Sequence, residues 1–213
     1  MKYKFILLAV TLGVCVSAGP ACAADVKTYV FGQSYPLPDT GQTKCYNTST
    51  EIACPAHGAD SEQDGSYNPS ATQPSYRDNG DFTITDNRTG LMWKKCSEGQ
   101  NNDATCTGTA ATYLWMPALL QCTGLTTPGG YNDWRLPNVN ELMSIINYGA
   151  AVPPYINTTY FPNTKIDIGY WTSTTDVVNP TLALSPNFNV AYVYQSSKTT
   201  LYGNVRCVRG GPK

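Results

Sequence analysis

Histidine is nearly missing from this chain of 213 residues: His57 is the only one. A single imidazole cannot build a histidine-rich hydrolytic metal centre. Any Ser-His-Asp triad would also have to use His57, which has no nucleophile motif near it. No C-x-x-C pair occurs, which removes the common zinc and thioredoxin-like spacings. Charge is sparse as well, with 14% charged residues and a formal net charge of −1. Without a basic stripe, nucleic acid is not the expected partner. No apolar run reaches the roughly 20 residues that a membrane-spanning helix needs.

The longest apolar run, Phe5 to Val16, is preceded by Lys2 and Lys4 and followed by the small residues Ala21-Cys22-Ala23. That is the pattern of a cleavable signal peptide over residues 1–23. A lipid-modified Cys15, after Leu12-Gly13-Val14, is the alternative. The expected location is secreted, periplasmic or at the cell surface, with no membrane span after cleavage. Loss of Lys2 and Lys4 takes the net charge from −1 to −3. Cys15 and Cys22 leave too, and six of the eight cysteines remain: Cys45, Cys54, Cys96, Cys106, Cys122 and Cys207. An even number in an exported chain favours disulfides, in any of fifteen connectivities. Cys45 and Cys54 flank KCYNTSTEIAC, where Tyr46 and Ile52 fit two short strands. A local bridge closing that hairpin is the natural pairing. Cys96 and Cys106 bound another short polar loop.

Residues 24–75 are rich in Gly, Pro, Ser, Thr and Asp and read as a loop-rich N-terminal segment. Residues 76–213 read as the main domain. Phe82–Thr85 and Leu91–Trp93 alternate as strands around the turn Asp86-Asn87-Arg88-Thr89-Gly90. A helix is expected from about Trp115 to Gly124, with Pro117 in its first turn and Gly124 at its end. A second begins at Asn138, whose side chain and Glu141 have capping-box spacing. Its apolar face is Val139, Leu142, Met143 and Ile146. Strand-like pieces follow at Tyr170–Ser173, Asn189–Tyr194 and Gly203–Arg209. Strands, then helices, then strands make an α+β domain.

Five segments in this order carry a family resemblance: Asp78-Asn79-Gly80-Asp81, Asp86 to Trp93 (DNRTGLMW), Asp133 to Asn138 (DWRLPN) with Glu141-Leu142, Tyr170 to Ser173 (YWTS), and Val205 to Arg209 (VRCVR). Together the chain resembles the Lcl C-terminal domain family, over about Pro36 to Gly211. The resemblance implies a C-type-lectin-like fold, also related to formylglycine-generating enzymes. Two helices would pack on short antiparallel sheets, with the terminal strands side by side. It further implies a disulfide from the first helix to the last strand, here Cys122 to Cys207. An adhesive function, through sulfated polysaccharide in the family's named member, is implied too. The net negative charge and the lack of a collagen-like stalk depart from heparin recognition.

The expected function is therefore a non-enzymatic binding or adhesion module for a glycan or an envelope protein. The rivals are a formylglycine-generating type of oxidoreductase and a structural envelope component. Residues 171–202 are dense in Ser, Thr, Asn and Tyr, a composition that suits recognition. The ligand-binding candidates there are Trp171, Ser173, Asn189, Tyr192, Tyr194 and Tyr202. Arg135 can clamp a ligand carboxylate or sulfate, or pair with Glu141 or Asp133. No catalytic residue and no cofactor is assigned. Calcium is allowed for by two oxygen-rich clusters, Asp60, Glu62 and Asp64, and Asp78 with Asp81. The first lacks an EF-hand's closing glutamate, since its twelfth position is Ala71.

Overall fold

The computed structural model describes residues 39–56, 59, 61–66 and 74–210. The expected signal segment, His57 and Asp60 lie outside the described residues. Strands β1 (Cys45–Tyr46) and β2 (Glu51–Ile52) pair antiparallel. Asn47 closes their turn, its side-chain oxygen accepting from the backbone N–H groups of Ser49 and Thr50. This hairpin carries the Cys45–Cys54 disulfide.

The chain continues through β3 (Tyr76–Asp78), β4 (Thr83–Asp86) and β5 (Met92–Lys94). The turn from β4 to β5 forms as its residues require. Asp86 Oδ1 accepts from the N–H of Arg88, its Oδ2 from the hydroxyl of Thr89, and Gly90 takes a positive φ of 68°. Next come β6 (Thr112–Tyr113), helix α1 (Trp115–Thr123) and helix α2 (Val139–Met143). The last strands are β7 (Leu182–Asn187), β8 (Tyr192–Ser197), β9 (Gly203–Asn204) and β10 (Val208–Arg209).

One antiparallel sheet has the order β10-β5-β4-β3, and β1-β2, β6-β9 and β7-β8 are two-stranded. The expectation of neighbouring terminal strands is corrected in part. Strand β10 shares a sheet with β3 but pairs with β5, and β3 lies three places away at the opposite edge. The core has two centres. In one, Trp93 of β5, Leu142 of α2, Phe161, Tyr170 and Phe188 pack together. In the other, Cys122 of α1 meets Trp134, Leu136, Trp171 and Val205. The disulfides are Cys45–Cys54, Cys96–Cys106 and Cys122–Cys207, and the last ties α1 to the segment entering β10. The result is a disulfide-stapled α+β domain.

Helix α1 matches its expected span, with Gly124 as C-cap, and α2 has the complete capping box of Asn138 and Glu141. Other expectations move. Helix α2 ends at Met143, which is exposed, and Ile145 and Ile146 of the following turn fill the core instead. Tyr170–Ser173 is not a strand; Tyr170 makes only an isolated bridge to Asn204. Asn189 to Ala191 are turn residues, Ala191 having a φ of 51°, so β8 starts only at Tyr192.

Candidate functional site

The motif segments that are easiest to read in sequence prove to be clasps. In DWRLPN, Trp134 and Leu136 are buried. Arg135 pairs with Glu141 through two contacts of 2.7 Å and also donates to the carbonyl of Gly210. Glu141 raises the Arg135 pKa, and its Oε2 accepts the Asn138 N–H as well. One carboxylate thus holds the helix start and the end of the chain's last strand together. Asp133 adds an ion pair of 2.6 Å to Arg209, whose guanidinium lies 3.8 Å above the Tyr131 ring. Arg135 is spent on structure, which removes it as a ligand clamp.

Beneath the last strand, Arg206 is fully buried. Its guanidinium donates to the carbonyls of Lys94 and Lys95, to Ser97 Oγ at 3.2 Å and to Thr164 Oγ1 at 2.9 Å. It also lies 5.0 Å from the Phe161 ring centre. Burial lowers its pKa, because the charged form loses water.

One cleft among the described residues lies against the β7–β8 hairpin. It encloses about 150 Å³ and is lined by Ser185, Ser196, Gly169, Trp171, Ile168, Leu201, Tyr202 and Gly203. Two glycines let its walls approach. A Cβ on Gly203 would come within 2.9 Å of Trp171 Nε1, and one on Gly169 within 3.0 Å of Ser185 Oγ. Trp171 is only 1% exposed, and its Nε1 donates to the carbonyl of Tyr113 at 2.7 Å. The hydroxyls of Ser185 and Ser196 are hydrogen-bonded to each other across the strands at 2.6 Å. Each keeps further donor or acceptor capacity.

Side chains two apart share a strand face. Tyr192 and Tyr194 therefore project on the face of β8 that carries Ser196. They are 61% and 44% exposed, Tyr202 is 59% exposed, and the rings of Tyr192 and Tyr194 meet edge-on at 5.2 Å. Beside them the loop after Thr175 is fixed by Asp176. Its carboxylate accepts from the backbone of Asn179 and Val178 and from Gln195 Nε2 at 2.7 Å. These bonds, led by that of Asn179, hold the Asp176 pKa below the usual carboxylate value. The loop lifts Val177 and Val178 almost wholly into solvent. Lys198 ties its far side, donating to Thr175 Oγ1 and to the carbonyl of Pro180 while sitting 4.0 Å over the Trp115 ring.

The six sequence candidates are thus divided. Trp171 and Tyr202 line the cleft, and Tyr192 and Tyr194 share the face of Ser196. Trp171 is not an open stacking platform, because it is only 1% exposed. Ser173 is used elsewhere: its N–H and hydroxyl both go to the carbonyl of Pro137, at the start of α2. Asn189 lies in the hairpin turn. Sequence reasoning missed Ile168, Gly169, Ser185, Ser196, Leu201 and Gly203. Among the described residues, three carboxylates of the oxygen-rich clusters are engaged by protein groups. Asp78 is bonded to Lys95 and to the Gly80 N–H, Asp81 to Thr83, and Asp64 to Thr40. Lys95 is the chief cause of a lowered Asp78 pKa. Among the described residues no three His, Cys, Asp or Glu side chains are grouped to hold a metal. Nor is any helix among them long and apolar enough to cross a membrane.

Fold and site define a disulfide-stapled α+β domain with a small cleft and exposed tyrosines on its β7–β8 hairpin. The chain belongs to the Lcl C-terminal domain family, whose model matches residues 82–209. No curated protein matches the chain.

Proposed function

We propose that the protein is an exported, non-enzymatic binding module that recognises a glycan at the cell surface. The observation that carries this reading is the cleft lined by Ser185, Ser196 and the exposed Tyr202, with the exposed rings of Tyr192 and Tyr194 on the same strand face as Ser196. Aromatic faces stack on the apolar side of a sugar ring, and Ser185 and Ser196 offer hydrogen bonds to its hydroxyls. Size supports the same reading. Enzyme and cofactor pockets commonly enclose roughly 300–1,000 Å³, whereas this cleft of about 150 Å³ admits one sugar unit's edge and leaves the remainder outside.

Three disulfides and the signal-like first 23 residues favour secretion, the periplasm or the cell surface. A C-type-lectin-like relationship, suggested by the family resemblance, fits that place. The rival oxidoreductase of the formylglycine-generating type requires a reactive cysteine near the end of the fold. Cys207 is buried in a bond to Cys122, which counts against it. Fold resemblance alone does not transfer an activity.

A glycan array probed with the chain expressed for export, with and without calcium, tests the proposal. Retention on at least one glycan class, unaffected by chelation, is expected. No retention on any glycan, with one envelope protein co-purifying instead, would replace the glycan with a protein partner.

A further inference from the structure

The second edge of the β7–β8 hairpin carries an inference separate from the cleft. Backbone bonds define which residues of β8 face outward. Tyr170 N–H donates to the carbonyl of Pro186, Leu184 N–H to Thr174, and Asp176 N–H to Leu182. The even-numbered residues of β7 therefore point away from β8. Its odd-numbered residues, Ala183, Ser185 and Asn187, make the ladder with Ser196, Tyr194 and Tyr192. Val193 and Gln195 must then direct their N–H and carbonyl groups outward. Among the described residues none of these four groups has a backbone partner.

Edge strands are normally blunted by charge, proline or a bulge. Strand β8 reads Tyr-Val-Tyr-Gln-Ser-Ser and has neither charge nor proline. The contrast with β1 is direct: there the Gln63 side chain pairs with both the N–H and the carbonyl of Tyr46 and closes the edge. Open donors and acceptors at strand spacing match one chemistry, another extended backbone.

We infer that β8 pairs antiparallel with β8 of a second copy of this chain, centred on Tyr194. In that register Val193 of each copy faces Gln195 of the other, and four outward groups per copy find partners. A two-fold contact sets each side chain near its own equivalent. A neutral strand meets that condition without like-charge repulsion, and the two Tyr194 rings lie across a pair where aromatics interact favourably. The result is a four-stranded sheet spanning two copies, which would present two clefts at once and strengthen attachment to a repetitive surface. One strand pair is a small interface, so the association belongs to the weak, concentration-dependent class.

Sedimentation of the full chain across the micromolar range, with amide hydrogen exchange, tests this. Dimers should grow with concentration, and the N–H groups of Val193 and Gln195 should become protected as they do. V193P removes an outward N–H while leaving the ladder to β7 complete. It should weaken association by about tenfold or more, because symmetry deletes two bonds together. V193K keeps the N–H but sets like charges across the seam, so it should weaken dimers in a salt-sensitive way. A chain that stays monomeric throughout, or dimers unchanged in both variants, would overturn the inference. Neither result depends on whether the cleft binds a glycan.

Discussion

At the scale of single residues, the buried polar groups decide more than the apolar ones. Arg206 ties the last strand to Lys94, Lys95, Ser97 and Thr164 with no carboxylate directly on its guanidinium. R206M keeps much of the volume but strands the two carbonyls. It should cost about 3 kcal/mol, read as a fall in the thermal midpoint. Asp176 sets a pH dependence. A carboxylate whose folded pKa is depressed stabilises above its ordinary value, near 4, and loses that contribution as pH falls through the folded value. Loop residues 176–181 should therefore loosen in acid before the core unfolds, seen as faster exchange of the Val178 and Asn179 amides. D176N should show the loosened loop already at neutral pH. The sequence offered Glu141 as one partner for Arg135, and the structure shows that pair. The sequence could not disclose Arg206 as a buried hub, because an arginine in a strand reads as a surface residue until its neighbours are known.

At the scale of elements, local signals were legible where they are self-contained. The capping box of α2 depends on Asn138 and Glu141 alone, and N138A should lower stability by about 1 kcal/mol. The turn between β4 and β5 was equally plain from Asp86 and Gly90. Strand β7 was not, because Pro186 within Leu-Ala-Leu-Ser-Pro-Asn argues against a strand. Its place in the sheet explains the exception: Pro186 lacks an N–H that would have pointed away from β8. The cleft was half legible for a similar reason. Tyr202 could be picked out by composition, but Gly203 matters only because the indole of Trp171 lies against it. G203A should push that indole from its place, shifting the Trp171 fluorescence and narrowing the cleft.

At the scale of the whole molecule, the domain is held by bonds between parts distant in sequence. Cys122–Cys207 closes a loop of 85 residues. In the chain-entropy view its removal should cost about 4.5 kcal/mol, against about 2.5 kcal/mol for either short loop. Double Cys→Ala variants compared by denaturant unfolding check that order. The family motifs build this frame, while the Tyr192–Tyr194 face and five of the eight residues lining the cleft, Ser185, Ser196, Leu201, Tyr202 and Gly203, lie in the segment between the last two motifs. That division explains why the family could be read from sequence and the ligand could not. Binding surfaces of this kind come from strand pairing and close glycine contacts, not from a motif. The most direct test is a comparison of glycan retention by the unaltered chain and by the Y194A/Y202A variant, whose removed rings are both exposed. The account predicts retained folding and unfolding midpoint with lost retention. Full retention in a folded Y194A/Y202A variant would contradict it.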